Sequence, residues 1–189
     1  LLIVANHVSW LDIPLITKKK PNSFITKHEL QGWPVFGLLA RLQRSVFVDR
    51  TRRQQSATAN NEIAGRLLAG DAMVLFAEGT SSDGSDVLPF RSALIGAATE
   101  ACAKCPAGKI FIQPLAVTYA GEAARAAPWH GEMDLLPHFA EVLRTPSLRA
   151  VLSWGEPIAY SGQSDRKLVA KELEEEVRAL ALAARAEYA

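Results

Sequence analysis

A histidine and an aspartate five residues apart follow the apolar run LLIVA, in the segment NHVSWLD that spans residues 6 to 12. Burying either side chain is costly unless it has a partner. A carboxylate one turn from a strand-end histidine can fix the imidazole tautomer and stabilise the imidazolium that forms on protonation. The spacing therefore predicts that His7 is a general base and that Asp12 orients it.

The same segment also fits the start of a helix. Ser9 and Asp12 match the S-x-x-D capping box, and Pro14 is tolerated in a first helical turn if Asp12 is the N-cap. Capping does not account for His7 or Asn6, so both interpretations stay open. The sequence contains no G-x-S-x-G nucleophile elbow. Direct attack of a deprotonated substrate hydroxyl on an activated acyl group is therefore the simpler chemistry.

Three further stretches place polar or unusual residues at or within predicted strands. VLFAEGTSSDG (74–84) ends a strand in Glu78, which is either a site residue or the start of a polar turn. RSVFVDR (44–50) ends in Arg50, which either forms a fork to phosphate or carboxylate or pairs with a surface acid. IQPLAVTY (112–119) has a proline inside a strand, which favours an edge strand or a bulge.

Composition indicates a globular chain with a basic first part. The 189 residues are 49% hydrophobic and 22% charged, which suits one domain over 1–189. Residues 1–53 contain nine Lys or Arg and three Asp or Glu, which fits an anionic partner or a solvated basic face. No apolar run reaches the ~18 residues that cross a bilayer. Because the chain opens in mid-strand without Met, we expect a fragment whose native N-terminus is missing, which leaves an upstream anchor open.

Two other features allow more than one interpretation. The segment GWPVFGLLARLQR (32–44) combines apolar residues with cations, as either a core helix or a surface in contact with lipid or an acyl chain would. Cys102 and Cys105 form CAKC late in a helical pattern, where we expect a structural or incidental role. We find no P-loop, G-x-G-x-x-G or metal-ligand cluster, and no interleaving of aromatic and basic residues that would suit nucleic acid.

Alternating apolar runs and helical patterns predict an α/β domain with a mixed, largely parallel sheet flanked by helices. The predicted strands are Leu1–Ala5, Ser23–Thr26, Val46–Asp49, Ala72–Phe76, Ile110–Tyr119 and Ala150–Trp154. The predicted helices run from about Arg52 to Ala69, from Arg91 to Lys104, and from beyond Ser164 to the C-terminus.

In this order, the four chemistry-bearing stretches resemble the glycerolipid acyltransferase family, best known for the 1-acylglycerol-3-phosphate acyltransferases. The family patterns N-H-x-S-x-x-D, G-x-x-F-x-x-R, F-P-E-G-T-R-S and a strand with a central proline recur over about residues 1 to 120. The matching residues are Asn6, His7, Ser9, Asp12, Phe47, Arg50, Phe76, Glu78, Gly79, Thr80, Ser82 and Pro114.

The resemblance implies transfer of a fatty acyl group from acyl-CoA or acyl-carrier protein to a lysolipid hydroxyl, at the cytoplasmic face of the inner membrane. It implies no metal and no cofactor beyond that co-substrate. His7 and Asp12 would be catalytic. The expected substrate-binding residues are Asn6, Ser9, Arg50, Glu78, Gly79, Thr80 and Arg91. The competing functions are an acyl-thioester hydrolase and a catalytically silent module that binds membrane lipid.

The sequence departs from the family pattern at three positions. Ser45 replaces glycine, Ala77 replaces proline, and Ser81 replaces an arginine that the family uses for the acceptor phosphate. Loss of that cation removes a charge-assisted contact, for which Arg91 would be a substitute. The stretch EGTSSDGSDVLPFRSAL resembles bacterial lyso-ornithine-lipid O-acyltransferases, so lysophosphatidate and lyso-ornithine lipid are both expected acceptors.

Overall fold

The computed structural model describes residues 1–19, 22–27, 44–48 and 53–188. Within them, one seven-stranded sheet has the order β3-β2-β4-β1-β5-β6, and β7 also pairs with β5. The first four of these strands are parallel to one another and to β5, whereas β6 and β7 are antiparallel to β5. The strands are β1 (Leu2–Ala5), β2 (Ser23–Lys27), β3 (Val46–Val48), β4 (Met73–Phe76), β5 (Lys109–Ala120), β6 (Arg149–Trp154) and β7 (Ile158–Ser161).

Helices cover both faces of this sheet. They are α1 (Asp12–Lys19), α2 (Arg53–Leu68), α3 (Gly96–Lys104), α4 (Ala123–Ala126), α5 (Leu135–Arg144) and α6 (Arg166–Glu187), and a 3-10 turn (Ser92–Ile95) precedes α3. One buried cluster joins the sheet to α2, α3 and α6 through residues such as Ile63, Ala98 and Leu173. A second cluster joins the opposite face to α1 and α4 through Ile16 and Ala123. The predicted α/β class with a mixed, largely parallel sheet is confirmed.

The predicted element positions agree closely with the structure. Each predicted strand end that falls within the described residues lies within one residue of the observed end. The predicted helix from Arg91 to Lys104 instead opens with the 3-10 turn. β7, α4 and α5 were not predicted, and β7 and α4 have only four residues each, too few for a periodic pattern. Arg50 and residues 32–43 lie outside the described residues.

The proline in β5 corrects one prediction. Pro114 is not on an edge strand, because β5 has β1 on one side and β6 and β7 on the other. β6 ends with Trp154 opposite Leu115, and β7 begins with Ile158 opposite Ile112. Pro114 therefore faces the break between two partner strands, where its missing N–H interrupts neither antiparallel ladder. Its carbonyl accepts a hydrogen bond from the amide of Gly155 at 3.0 Å in that break.

The chain leaves the neighbouring strands β1 and β4 in opposite directions. After β1 it forms α1 on one face of the sheet and continues to β2, whereas after β4 it forms α3 on the other face and continues to β5. In open α/β sheets, ligands bind in the crevice beyond the carboxyl ends of strands at such a switch point. The segment that begins with Asn6 and His7 follows β1 directly, so the topology places the predicted site residues beside this crevice.

Candidate active site

The imidazole of His7 contacts the carboxylate of Asp12. Nδ1 of His7 lies 2.8 Å from Oδ2 of Asp12, and Asp12 is fully buried. A carboxylate is an acceptor, so the neutral imidazole carries its proton on Nδ1 and leaves Nε2 as the basic nitrogen. The side chain of His7 is 19% exposed. The pair therefore has the geometry of a general base and the group that orients it.

Asp12 has three more donors. Its Oδ2 also accepts from the amides of Val8 at 2.8 Å and Ser9 at 3.0 Å, and its Oδ1 accepts from the hydroxyl of Tyr119 at 2.7 Å. The bond from the Ser9 amide is the return half of a capping box. Helix capping and orientation of His7 are thus two functions of one carboxylate, and the four donors compensate the cost of burying its charge.

Two phenylalanine rings stack beside the imidazole of His7. The ring of His7 stacks on that of Phe76, the last residue of β4, with centroids 4.0 Å apart and planes 15° from parallel. Phe24 of β2 stacks on Phe76 in turn, at 5.9 Å. β4 lies between β2 and β1, so the three rings stack in a row across neighbouring strands, with Phe24 near the start of β2, opposite Val74. The stacking on Phe76 restricts rotation of the His7 ring.

Asn6 and Ser9 make their contacts within the protein. Asn6 is 1% exposed, and its amide both donates to the carbonyl of Val117 at 3.0 Å and accepts from the amide of Val117 at 2.8 Å. It extends the pairing of β1 with β5 beyond Ala5. Ser9 is fully buried, and its hydroxyl accepts from the amide of Leu11 at 3.3 Å. A direct contact of either residue with substrate stays a prediction, and both position the segment that carries His7.

The carboxyl group of Glu78 is buried directly after β4. Glu78 is 2% exposed, and its Oε1 accepts from the amide of Leu88 at 3.2 Å. Oε2 has no partner of ordinary hydrogen-bond geometry in the described part of the chain. Burial raises the pKa of Glu78 to about 8, although the Leu88 and His7 amides oppose this and the charge of Asp12 adds to it. The carboxyl is therefore largely protonated at neutral pH.

The residues after Glu78 cross over the end of β1. Gly79 has a φ of 76°, a left-handed conformation that favours glycine. Thr80 is exposed. The amide of Ser82 then donates to the carbonyl of His7 at 2.9 Å and fastens this loop to the candidate base. Ser82 therefore positions the backbone of His7.

Of the two predicted cations, Arg91 lies within the described residues and Arg50 does not. Arg91 is exposed, and its amide donates to the carbonyl of Ala77 at 2.9 Å, so its backbone is anchored just beyond β4. Its role in binding the acceptor stays a prediction. Arg50 lies outside the described residues, so its predicted role also stays a prediction.

Tyr119 is a site residue that the sequence did not indicate. It lies near the end of β5, and only 7% of it is exposed. Burial raises the pKa of its hydroxyl, and the charge of Asp12 raises that pKa further, so the group stays a donor to Asp12. The predicted strand ends at this tyrosine. Its contact with a residue 107 positions away, however, depends on which strand lies beside β1.

Metal groups, the two cysteines and membrane-spanning helices can be examined over the described ranges. There, no three His, Cys, Asp or Glu side chains form a group able to hold a metal ion. Cys102 is a buried free thiol that donates to the carbonyl of Gly108 at 3.0 Å, and Cys105 is also free. No helix of the described ranges has the length and apolar content to cross a membrane.

Comparisons with known proteins identify the family of this chain. A family model described as Acyltransferase matches residues 1–118. The Lyso-ornithine lipid O-acyltransferase of Brucella abortus is 44% identical over 188 residues, which cover 95% of this chain and 70% of that protein. Its counterpart in Rhizobium meliloti is 39% identical over 186 residues, covering 94% of this chain and 64% of that protein.

A phospholipid enzyme and a solved structure are also similar. The 1-acyl-sn-glycerol-3-phosphate acyltransferase of Neisseria gonorrhoeae is 30% identical over 181 residues, covering 95% of this chain and 68% of that protein. The crystal structure of the 1-acyl-sn-glycerophosphate (LPA) acyltransferase, PlsC, from Thermotoga maritima matches with a TM-score of 0.68 and 25% identity. That match covers 97% of this chain and 65% of the other. The chain thus spans about two thirds of the length of these relatives.

Proposed function

This chain belongs to the acyltransferase family, and from that premise we propose that it moves a fatty acyl group from an acyl thioester to a lysolipid hydroxyl, with His7 as general base. The chain is an acyltransferase, and the names of its relatives support a lysolipid acceptor. The observation that carries the proposed chemistry is the 2.8 Å contact between Nδ1 of His7 and the buried carboxylate of Asp12. The donor is the thioester of CoA or of acyl-carrier protein.

In the proposed reaction, Nε2 of His7 removes the proton of the acceptor hydroxyl as its oxygen attacks the thioester carbonyl. The C–S bond then breaks, and the thiolate takes the proton from the imidazolium, so the imidazole is neutral again. Asp12 stabilises the imidazolium between the two steps. No covalent enzyme intermediate forms. Tyr119 acts on this reaction through Asp12, whose Oδ1 it holds at 2.7 Å, and is a positioning residue.

We propose lyso-ornithine lipid as the acceptor rather than lysophosphatidate. Relatives from Brucella abortus, Rhizobium meliloti and Pseudomonas aeruginosa that carry this name are 44%, 39% and 35% identical to the chain, compared with 30% for the Neisseria enzymes. Ser81 occupies the position where the phosphate-binding pattern has an arginine. A hydroxyl in that place offers a phosphate no charge-assisted contact.

We also propose that α5 contacts the lipid surface from which the acceptor comes. Leu136 and Leu143 are 79% and 70% exposed, and Phe139 between them is 42% exposed, which gives one apolar face at helical spacing. The opposite side of α5 is joined to the site segment, because Nε1 of Trp10 donates to Nδ1 of His138 at 3.0 Å. This partly buried contact joins α5 to the segment that carries His7.

Removal of the imidazole tests the proposed function. We expect His7→Ala to lower acyl transfer about 10³-fold or more, because loss of a catalytic triad member costs several orders of magnitude. The measurement follows transfer from acyl-CoA and from acyl-carrier protein to lyso-ornithine lipid and to lysophosphatidate. His7→Asn is the matched control, since its amide nitrogen can replace Nδ1 as donor to Asp12 and keep the fold without supplying a base.

Three outcomes would contradict parts of the proposal. Turnover by His7→Ala within tenfold of the wild type would remove His7 as the base. Release of free fatty acid by the wild type at an equal rate with and without acceptor would indicate a thioester hydrolase. A strong preference for lysophosphatidate would replace the proposed acceptor.

A further inference from the structure

We propose that a cavity beside the end of β1 binds the head group of the acceptor, and that this head group is an amino acid with a free carboxylate and a free ammonium. The cavity has a volume of about 340 Å³, within the range of about 300–1,000 Å³ that is usual for small-molecule sites. It lies between the loop at 83–85, the end of β5 and the C-terminal end of α6. The inference rests on the proposed function and names the group that the site recognises.

The cavity shares its walls with the candidate active site. Val8 lines it, and the amide of Val8 donates to Asp12. Tyr119 lines it, and the hydroxyl of Tyr119 donates to the same carboxylate. Val117 lines it as well, and its backbone pairs with Asn6. A molecule in the cavity therefore lies against the residues that position His7.

The charged lining consists of a cation and an anion. Nη1 of Arg185 donates to the carbonyl of Ser85 at 2.5 Å, which anchors the guanidinium at the cavity wall with further N–H groups to donate. Oδ1 of Asp83 accepts from the amide and the hydroxyl of Ser85 at 2.8 and 2.7 Å. These hydrogen bonds, with a smaller contribution from the charge of Arg185, lower the pKa of Asp83 and keep it ionised.

This pair of charges fits a zwitterionic group better than a phosphate. The guanidinium of Arg185 can bind a carboxylate through two parallel hydrogen bonds, while Asp83 binds an ammonium. A phosphate would gain the contact with Arg185 but would meet the negative charge of Asp83 in the same cavity. The loop that carries Asp83 also carries Ser81 in place of the arginine that the family uses for phosphate. Both features of the loop disfavour a phosphorylated acceptor.

Charge-removing variants test this inference. We expect Arg185→Gln to raise the KM for lyso-ornithine lipid about tenfold or more, because a hydrogen-bonded ion pair with the substrate is lost. The KM for the acyl donor should stay within twofold. Asp83→Asn should raise the KM for lyso-ornithine lipid and lower that for lysophosphatidate, because the repulsion of phosphate disappears.

Arg178→Gln is the matched control. Arg178 lies seven residues before Arg185 on α6 and also binds the neighbouring loop, through Asp86 at 3.1 Å and the carbonyl of Val87 at 2.7 Å, but it does not line the cavity. The Arg178→Gln variant should have a KM for lyso-ornithine lipid within twofold of that of the wild type. An equal increase in Arg178→Gln and Arg185→Gln would mean that both act by holding the loop, and would overturn the inference.

Direct binding separates this inference from the proposed reaction. Calorimetry measures the affinity for lyso-ornithine lipid in detergent micelles, without an acyl donor. Two proteins are compared: the His7→Asn variant, and the same variant with Arg185→Gln added. A loss of affinity of about tenfold supports the head-group site even if the wild type transfers no acyl group. Unchanged affinity overturns the head-group site even if the wild type is an active acyltransferase.

Discussion

Asp12 satisfies two requirements that the sequence presented as alternatives. One oxygen joins the His7 ring to the amides that precede α1, and the other binds Tyr119. The motif predicted the histidine and the carboxylate, because both lie within seven residues of sequence. It did not predict Tyr119, since a contact across 107 positions leaves no local pattern.

Tyr119→Phe should lower kcat about tenfold and the free energy of unfolding by about 1.5–3 kcal/mol, because it removes one hydrogen bond to a charged group. Steady-state kinetics and urea unfolding measure the two effects. Tyr160→Phe is the matched control: Tyr160 is also buried and bonds Thr99 at 2.8 Å, in α3. It should lose stability without loss of kcat, and an equal fall in kcat in both variants would deny Tyr119 a positioning role.

Glu78 should make stability depend on pH. Its pKa is raised to about 8 in the folded protein, whereas an unfolded glutamate titrates near ~4.3. The folded state therefore binds more protons between these values, and its stability falls as pH rises from about 4.5 towards 8. Glu78→Gln, which mimics the protonated carboxyl, should flatten that slope. Urea unfolding from pH 5 to 8 compares the two proteins, and parallel slopes would mean that Glu78 ionises normally.

At the scale of elements, the break between β6 and β7 is what admits Pro114 into the interior of the sheet. Gly155 lies in this break, and a Cβ atom there would come within 2.7 Å of Cγ of Pro114 and 3.1 Å of Oε1 of Glu176. The proline and the glycine thus depend on each other. The sequence predicted an edge strand or a bulge at this proline, and the edge strand is wrong because the partner strands of β5 are set by residues far away in the chain.

Gly155→Ala should lower the free energy of unfolding by about 1–3 kcal/mol, since the added methyl group overpacks this contact. Gly65→Ala is the control of opposite sign. Gly65 lies inside α2 with no atom within 4 Å of the added Cβ, so alanine should stabilise the protein by about 0.5–1 kcal/mol. Thermal unfolding of both variants checks the pair, and equal shifts would exclude crowding at Gly155 as the cause.

At the scale of the whole molecule, the site and the cavity lie at the carboxyl ends of β1, β4 and β5, and α5 packs beside them. The switch point brings His7 and Phe76 together, and the end of β5 adds Tyr119 and the cavity. α5 reaches the same region through the contact between Trp10 and His138. This arrangement fits a reaction on a lipid that stays partly in its membrane.

Replacement of Leu136 and Leu143 by serine should lower binding to phospholipid vesicles about tenfold or more, because each buried leucine side chain contributes about 1.5–3 kcal/mol. Co-sedimentation with vesicles of lyso-ornithine lipid in phosphatidylcholine measures the effect. Leu168 and Leu182 on α6 are also exposed, at 61% and 54%, and their replacement by serine is the control. Equal losses in the two double variants would exclude α5 as the specific contact.

The sequence by itself determined the positions of six of the seven described strands, most helices and the family, and it predicted the contact between His7 and Asp12 beside the alternative of helix capping. Apolar runs report which residues are buried, and a motif only seven residues long requires no knowledge of distant contacts. Only the tertiary structure decided the order of the strands, the stacking of His7 on Phe76, the bond from Tyr119 and the cavity shared with Arg185. These features join residues tens to more than a hundred positions apart. Local patterns do not encode such contacts, because they depend on which strands pair and on how the helices pack over them.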